Sequence, residues 1–223
     1  MIIDFYNFWK LVQILLLFSW LIADLGIYWT AKQAARNDLT TDERKRFLER
    51  TISMNMGSHT ALILLPAVGF QLSDMAGFAV MSLSSLIFIW ITTAAWLSLV
   101  WLVYLNRHEP NIDGWLKFDC VVRIIVILTI GSNGFVSFFT QYPVKTFWLA
   151  IVFVLYACVV ALSISMRATI MAWQQGFPLI EQAETRSQGN AIITSAHLKG
   201  ERYALMTWGL IIAILLLEVM QPI

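Results

Sequence analysis

Apolar residues recur along this chain in six long runs: Phe8–Trp29, Ser53–Leu72, Gly77–Leu105, Cys120–Phe139, Phe147–Thr169 and Tyr203–Val219. Each is close to, or beyond, the about 20 residues with which an α-helix crosses the hydrocarbon core of a bilayer. The pattern therefore predicts an all-α membrane protein, a six-transmembrane-helix bundle forming a single polytopic domain. The first run lacks a basic n-region and a small-residue cleavage site, and it carries Asp24, so it reads as a retained span. The third is long enough to tilt or to project from the bilayer.

Two of the polar connections predict structure of their own. Thr40-Thr41-Asp42-Glu43 fits a capping box, with Thr40 as N-cap and Glu43 three residues on. A helix should start near Thr41 and run unbroken into the second span. Gly176-Phe177-Pro178 is expected to stop the fifth span, and Ser187–Asn190 to restart a helix leading into the sixth. Gly131-Ser132-Asn133-Gly134 is the expected irregular point of the bundle, allowing either a bend or close helix contact.

Composition sharpens this picture by exclusion. Hydrophobic residues make up 59% of the chain and charged residues 13%, where a soluble domain has about 45–50% and about 25%. Disorder, nucleic-acid binding and disulfide-stapled secretion are all disfavoured, and the lipid bilayer is the expected surrounding. Cys120 and Cys158 lie in apolar runs and read as small core residues. The net charge of +1 hides an asymmetry: only Lys10 and Lys145 of the fifteen basic residues fall on one side of the predicted spans. Lysine and arginine mark cytoplasmic connections, so both termini are expected to be non-cytoplasmic.

Charged groups inside spans cost about 2.5–3.5 kcal/mol on insertion scales and are the first candidates for function. Helical spacing puts Gln13, Trp20 and Asp24 on one stripe, and Asn55, His59 and Pro66 on another. Asp119 and Arg123 are four apart and can pair; Trp96, Ser163 and Arg167 are polar positions on spans three and five. At 1.5 Å per residue, Asp24, His59, Arg123 and Arg167 all fall in the cytoplasmic leaflet. The candidate buried polar cluster is Gln13, Trp20, Asp24, Asn55, His59, Asp119, Arg123 and Arg167. A purely structural alternative stands beside it. In that reading Arg123 pairs with Asp24 or Asp119 to fix helix registry, and Arg167 snorkels to the interface. A further pair, Glu218 with Lys10, is expected at the other end.

Cofactor chemistry can be tested by counting. The histidines are His59, His108 and His197, and only His59 is well within a span, so the facing pair that a b-type haem needs is missing. A c-type haem is excluded by the lack of Cys-x-x-Cys-His. Met54, Met56 and His59 carry soft ligands that suit Cu(I), but Met54 and Met56 point about 200° apart on a helix. That leaves Met56 and His59 as the metal candidates. Trp9, Trp29, Trp101, Trp115, Trp148 and Trp208 fall near span ends, where an aromatic belt is expected. Trp20, Trp90 and Trp96 lie deeper.

Several short motifs stand together: Phe8-Trp9-Lys10-Leu11-Val12-Gln13-Ile14-Leu15-Leu16, Ser19-Trp20, Asp24-Leu25-Gly26, Leu65-Pro66-Ala67-Val68-Gly69, Trp208-Gly209-Leu210 and Gln221-Pro222. In them the chain resembles the small bacterial integral membrane proteins related to copper-resistance protein D, which share a look with the haem-binding membrane protoporphyrinogen oxidase family. The resemblance implies a six-helix protein of the bacterial inner membrane. Such families typically place a histidine in the first span where this chain has Gln13, which cannot replace an imidazole as an axial ligand. The functional expectation is an accessory or assembly component of a membrane complex, working with a membrane-protein partner or as a homo-oligomer. The alternative is a haem- or quinone-binding redox protein, or a proton or metal-ion transporter, using the cytoplasmic-leaflet cluster.

Overall fold

In a computed structural model, which describes residues 4–79, 81–107, 109 and 112–220, these residues form six helices. They are α1 (Phe5–Ala34), α2 (Thr41–Met75), α3 (Leu83–Leu105), α4 (Ile112–Thr140), α5 (Phe147–Glu181) and α6 (Arg186–Met220). Five of them, all but α2, are long and apolar enough to cross a membrane, which makes this a multi-pass membrane protein. α2 covers the whole of the predicted run Ser53–Leu72, but Asn55, Ser58, His59 and Pro66 dilute its apolar character.

Side-chain contacts fix an antiparallel register throughout. Thr51 donates to Thr30, and Ser58 reaches Asp24, across α1 and α2. Arg123 meets Ser163, and Arg167 meets Asp119, across α4 and α5. Tyr28 meets Glu201, and Gln13 meets Glu218, across α1 and α6. Each step forward on one helix is matched by a step back on its neighbour. One end of the bundle therefore collects the connections after α1, α3 and α5, and it is the end rich in Lys and Arg. The other end carries the start of α1, the end of α6 and the loops after α2 and α4, which are tied together by an isolated bridge between Ala79 and Val144.

The packing is organised as two tight hairpins, α1–α2 and α5–α6, with α4 along α5 and α3 more lightly held. One apolar cluster, including Trp20, Met56, Ile63, Trp96, Tyr156 and Val160, fills the middle of the bundle. A second, with Leu48, Trp173, Phe177, Ile180 and Ile193, fills the basic end. There the buried Arg44 gives Nε to the Ala34 carbonyl at 2.9 Å and Nη1 to Asn190 Oδ1 at 2.8 Å, with its guanidinium over the Phe177 ring. One side chain thus joins α1, α2, α5 and α6. A cation at the C-terminal end of α1 is also well placed for the helix dipole.

The capping box at Thr40 and Glu43 forms as the spacing predicts, and α2 runs from Thr41 without a break. Its internal Pro66 has no N–H to give the Leu62 carbonyl four residues earlier. The Tyr156 hydroxyl of α5 supplies that bond at 2.6 Å, so the proline's missing donor becomes an anchor between α2 and α5.

Two expectations fail in detail, and a third holds in one of its two forms. α5 continues through Gly176-Phe177-Pro178 to Glu181. Phe177 and Ile180 are buried in the basic-end cluster, and that packing outweighs the local stop signal. The third helix begins at Leu83, not Gly77: Gly77 takes a left-handed turn at φ 76°, and Ser82 caps the helix by accepting from the Ser85 N–H. Gly131–Gly134 shows no interruption, since α4 is a single helix. The glycines there serve close contact instead, with a Cβ on Gly134 falling 2.8 Å from the Ala150 carbonyl oxygen.

A second close helix crossing lies at Gly176 and Gly189. A Cβ on Gly189 would sit 2.8 Å from the Gly176 carbonyl oxygen and 2.7 Å from Ile180. Gly189→Val should therefore destabilise the α5–α6 hairpin by about 1–3 kcal/mol. Gly209→Ala, which meets nothing within 4 Å, is the clash-free control and should gain up to about 1 kcal/mol from helix propensity. Unfolding of both variants in detergent micelles checks this; equal stabilities would mean that the crossing tolerates a larger side chain.

Candidate functional site: a polar seam between two helix hairpins

Two polar constellations occupy the interior toward the basic end. The first centres on Asp119 of α4, which is fully buried. Its Oδ2 accepts from Arg123 Nε at 2.8 Å and from Arg167 Nη1 at 2.6 Å, and its Oδ1 accepts from Trp96 Nε1 at 3.3 Å. Arg123 Nη1 donates to Ser163 Oγ at 2.6 Å, and Ser163 donates in turn to the Val160 carbonyl. Three helices are thereby joined through one carboxylate. Two guanidinium groups share it, so the constellation carries one positive charge in excess.

The second centres on Asp24 of α1, also buried. Its Oδ2 accepts from Trp208 Nε1 of α6, and its Oδ1 from Ser58 Oγ of α2 at 3.4 Å. Among the described residues no Lys or Arg nitrogen lies within salt-bridge distance of it. The contrast with Asp119 is sharp: one buried carboxylate holds two cations, the other holds two neutral donors.

Between the hairpins run two cavities. The inner one, of about 40 Å³, is bounded by Trp20, Asp24, Asn55, Ser58, His59 and Ser163, among others. The outer one, of about 50 Å³, lies toward the basic end and is bounded by Asp24, Tyr28, Asn55, Trp173, His197 and Glu201, among others. Asp24, Asn55, Met166 and Ala204 belong to both. Each is several times the roughly 10–15 Å³ that one water requires. Asp24 thus stands where the two meet, and Ser163 links the inner cavity to the Arg123 network. The Nδ1 of His59 lies 2.9 Å from the Asn55 carbonyl oxygen. A carbonyl only accepts, so Nδ1 carries the proton and Nε2 is left as an acceptor.

Of the residues singled out in the sequence, Trp20, Asp24, Asn55 and His59 line the inner cavity, while Asp119, Arg123 and Arg167 form the adjoining network. The i,i+4 pair of Asp119 with Arg123 is present. The alternative pairing of Asp24 with Arg123 is not, because Arg123 is taken up by Asp119 and Ser163. Arg167 turns inward to Asp119 instead of snorkelling. Gln13 stands apart: three helical turns from Asp24, it donates to Glu218 at 3.3 Å at the opposite end. Glu218 has Gln13 as its partner in place of the expected Lys10, which is exposed.

Trp148 and Trp208, expected in the aromatic belt, belong to the interior: Trp148 is buried in the central cluster and Trp208 bonds Asp24. Met56 is held in the same central cluster, and no group of three or more His, Cys, Asp or Glu that could hold a metal occurs among the described residues. His59 and His197 line different cavities, so they do not face one gap as paired haem ligands would. His108 and Gln221-Pro222 lie outside the described residues. Ser58, Trp173 and Glu201 carry no sequence signal of their own, being ordinary helix residues until the hairpins meet.

Compared with known proteins, the chain matches no family model, no curated protein and no solved structure.

Proposed function

We propose that this is a six-span protein of a bacterial inner membrane, with both termini non-cytoplasmic, that carries protons through the seam by way of Asp24. The observation behind this reading is the buried Asp24 carboxylate on a cavity wall, bonded to Ser58 and Trp208 and to no described cation. A carboxylate in the membrane interior is costly and marks ion or proton pathways. One retained only for helix registry would be expected to keep its cation, as Asp119 does. His59 adds a second titratable group to the same cavity, with its Nε2 available to accept. The concentration of Lys and Arg at the end where the outer cavity lies supports a cytoplasmic mouth. The resemblance to the copper-resistance protein D group supports the bacterial inner membrane, and the placement of Met56 in the apolar core favours protons over copper.

An accessory role in a larger membrane complex is compatible with this. It is favoured by α1, α4 and α6, which turn most of their apolar windows outward and could meet a partner helix as well as lipid. Reconstitution into liposomes with an enclosed pH dye tests the proton reading. An imposed pH gradient should collapse faster than in protein-free vesicles of the same lipid, and equal rates would overturn it.

A further inference from the structure

At the end of the bundle opposite the basic one, a second carboxyl group sits in a membrane span without a cation. Glu218, in the last turn of α6, is half-buried, and both of its oxygens lie 3.3 Å from the Gln13 amide nitrogen of α1. Among the described residues no Lys or Arg nitrogen comes within salt-bridge distance of it. The other titratable groups of this end are Asp4, Tyr6 and Lys10 at the start of α1, Asp74 of α2, and Tyr142 and Lys145 before α5; Lys10 and Lys145 are exposed. Residues 147–154 of α5, which open the hairpin with α6, carry no titratable side chain. Lys10 lies one turn from Gln13 on α1 and would serve a registry pair, yet the amide has that place. A lysine would hold the carboxylate ionised. A primary amide does not: its NH2 donates to a carboxylate, and its carbonyl accepts from a carboxylic acid. By turning end for end, Gln13 satisfies Glu218 in either protonation state.

We propose that Glu218 is a second proton-binding site, which exchanges protons with the non-cytoplasmic side while Asp24 serves the basic end. A hydronium ion at that surface gives its proton to a Glu218 oxygen and leaves as water, and release is the reverse step. Gln13 is the positioning residue, holding the carboxyl group in both forms. The two acids are separate sites: Gln13 and Asp24 stand about 16 Å apart along α1. Between them Trp20 of α1 and Ile211 and Ile214 of α6 are buried in the central apolar cluster, which insulates one carboxyl group from the other. A cation-free carboxyl group inside a span is costly and marks a proton pathway, and here one stands toward each end of the same pair of helices. The inference deepens the proton-carrying reading of Asp24 and rests on it for the traffic between the two sides.

The test uses the full chain in lipid nanodiscs. Infrared difference spectra between mildly acidic and mildly alkaline buffer are recorded for the wild type, Glu218→Gln and Asp24→Asn. A carboxyl C=O band that comes and goes with pH should be present in the wild type and in Asp24→Asn and absent from Glu218→Gln. Identical spectra for the wild type and Glu218→Gln would overturn the site, because Glu218 would then hold one protonation state throughout. The spectra need no flux, so they decide for Glu218 even where the transport reading fails. The second readout is proton flux in liposomes. Glu218→Gln keeps the shape and leaves Gln13 an amide to bond, and its flux should fall toward that of protein-free vesicles. Glu218→Asp keeps a carboxyl group and should retain more flux than Glu218→Gln. Wild-type flux in Glu218→Gln would overturn the exchange role while leaving Asp24 as the carrier.

Discussion

Asp119→Ala should cost about 3–5 kcal/mol of stability, the range for removing one partner of a buried ion pair. The reason lies in what remains. Arg123, 2% exposed, would keep only its bond to Ser163, and Arg167 would keep only a long contact to the Leu116 carbonyl. Two guanidinium groups would face each other with no carboxylate between them, and Trp96 would lose its acceptor. Arg123→Met should be milder, because Asp119 would still have Arg167 and Trp96. Denaturant unfolding of the two variants in mixed micelles gives both numbers. Equal costs would mean that Asp119 does not carry the shared burden the geometry assigns to it, and a loss below about 1 kcal/mol would place the network in the class of weak surface pairs.

The helices are readable because lipid imposes a simple rule, which five of the six obey in full while α2 is diluted by its polar residues. The Thr40–Glu43 cap and the Asp119–Arg123 pair were readable for a related reason: each depends on a fixed local spacing that any helix preserves. What escaped depends on contacts between helices. The stop signal at Gly176-Phe177-Pro178 is locally sound, but Ile193 and Gly189 of α6 press against Gly176 and hold the helix together. The stripe of Gln13, Trp20 and Asp24 does share one face, yet it spans so much of the membrane that its ends meet different partners. Depth alone puts Trp208 in the aromatic belt, and depth does not reveal that α6 brings it against Asp24. Ser58 and Trp173 are invisible for the same reason, since a hydrogen-bond donor becomes a site only when another helix leaves it a cavity or a carboxylate.

Asp24→Asn should separate the structural and functional accounts of the seam, because they predict opposite signs. Asparagine has nearly the same shape, and its amide oxygen can still accept from Trp208 or Ser58. It also removes a charge whose insertion costs about 2.5–3.5 kcal/mol, so the variant should fold at least as well as the wild type. Its amide cannot take up and release a proton near neutral pH, so proton flux in liposomes should fall to the level of protein-free vesicles. If Asp24 were there to fix registry, the variant would instead lose stability and leave the flux unchanged. Measuring micelle unfolding and dye-reported flux on one preparation gives both signs together. Retained flux in a well-folded Asp24→Asn protein would remove Asp24 from the path and leave His59, the other titratable group on the inner cavity, as the remaining carrier to test.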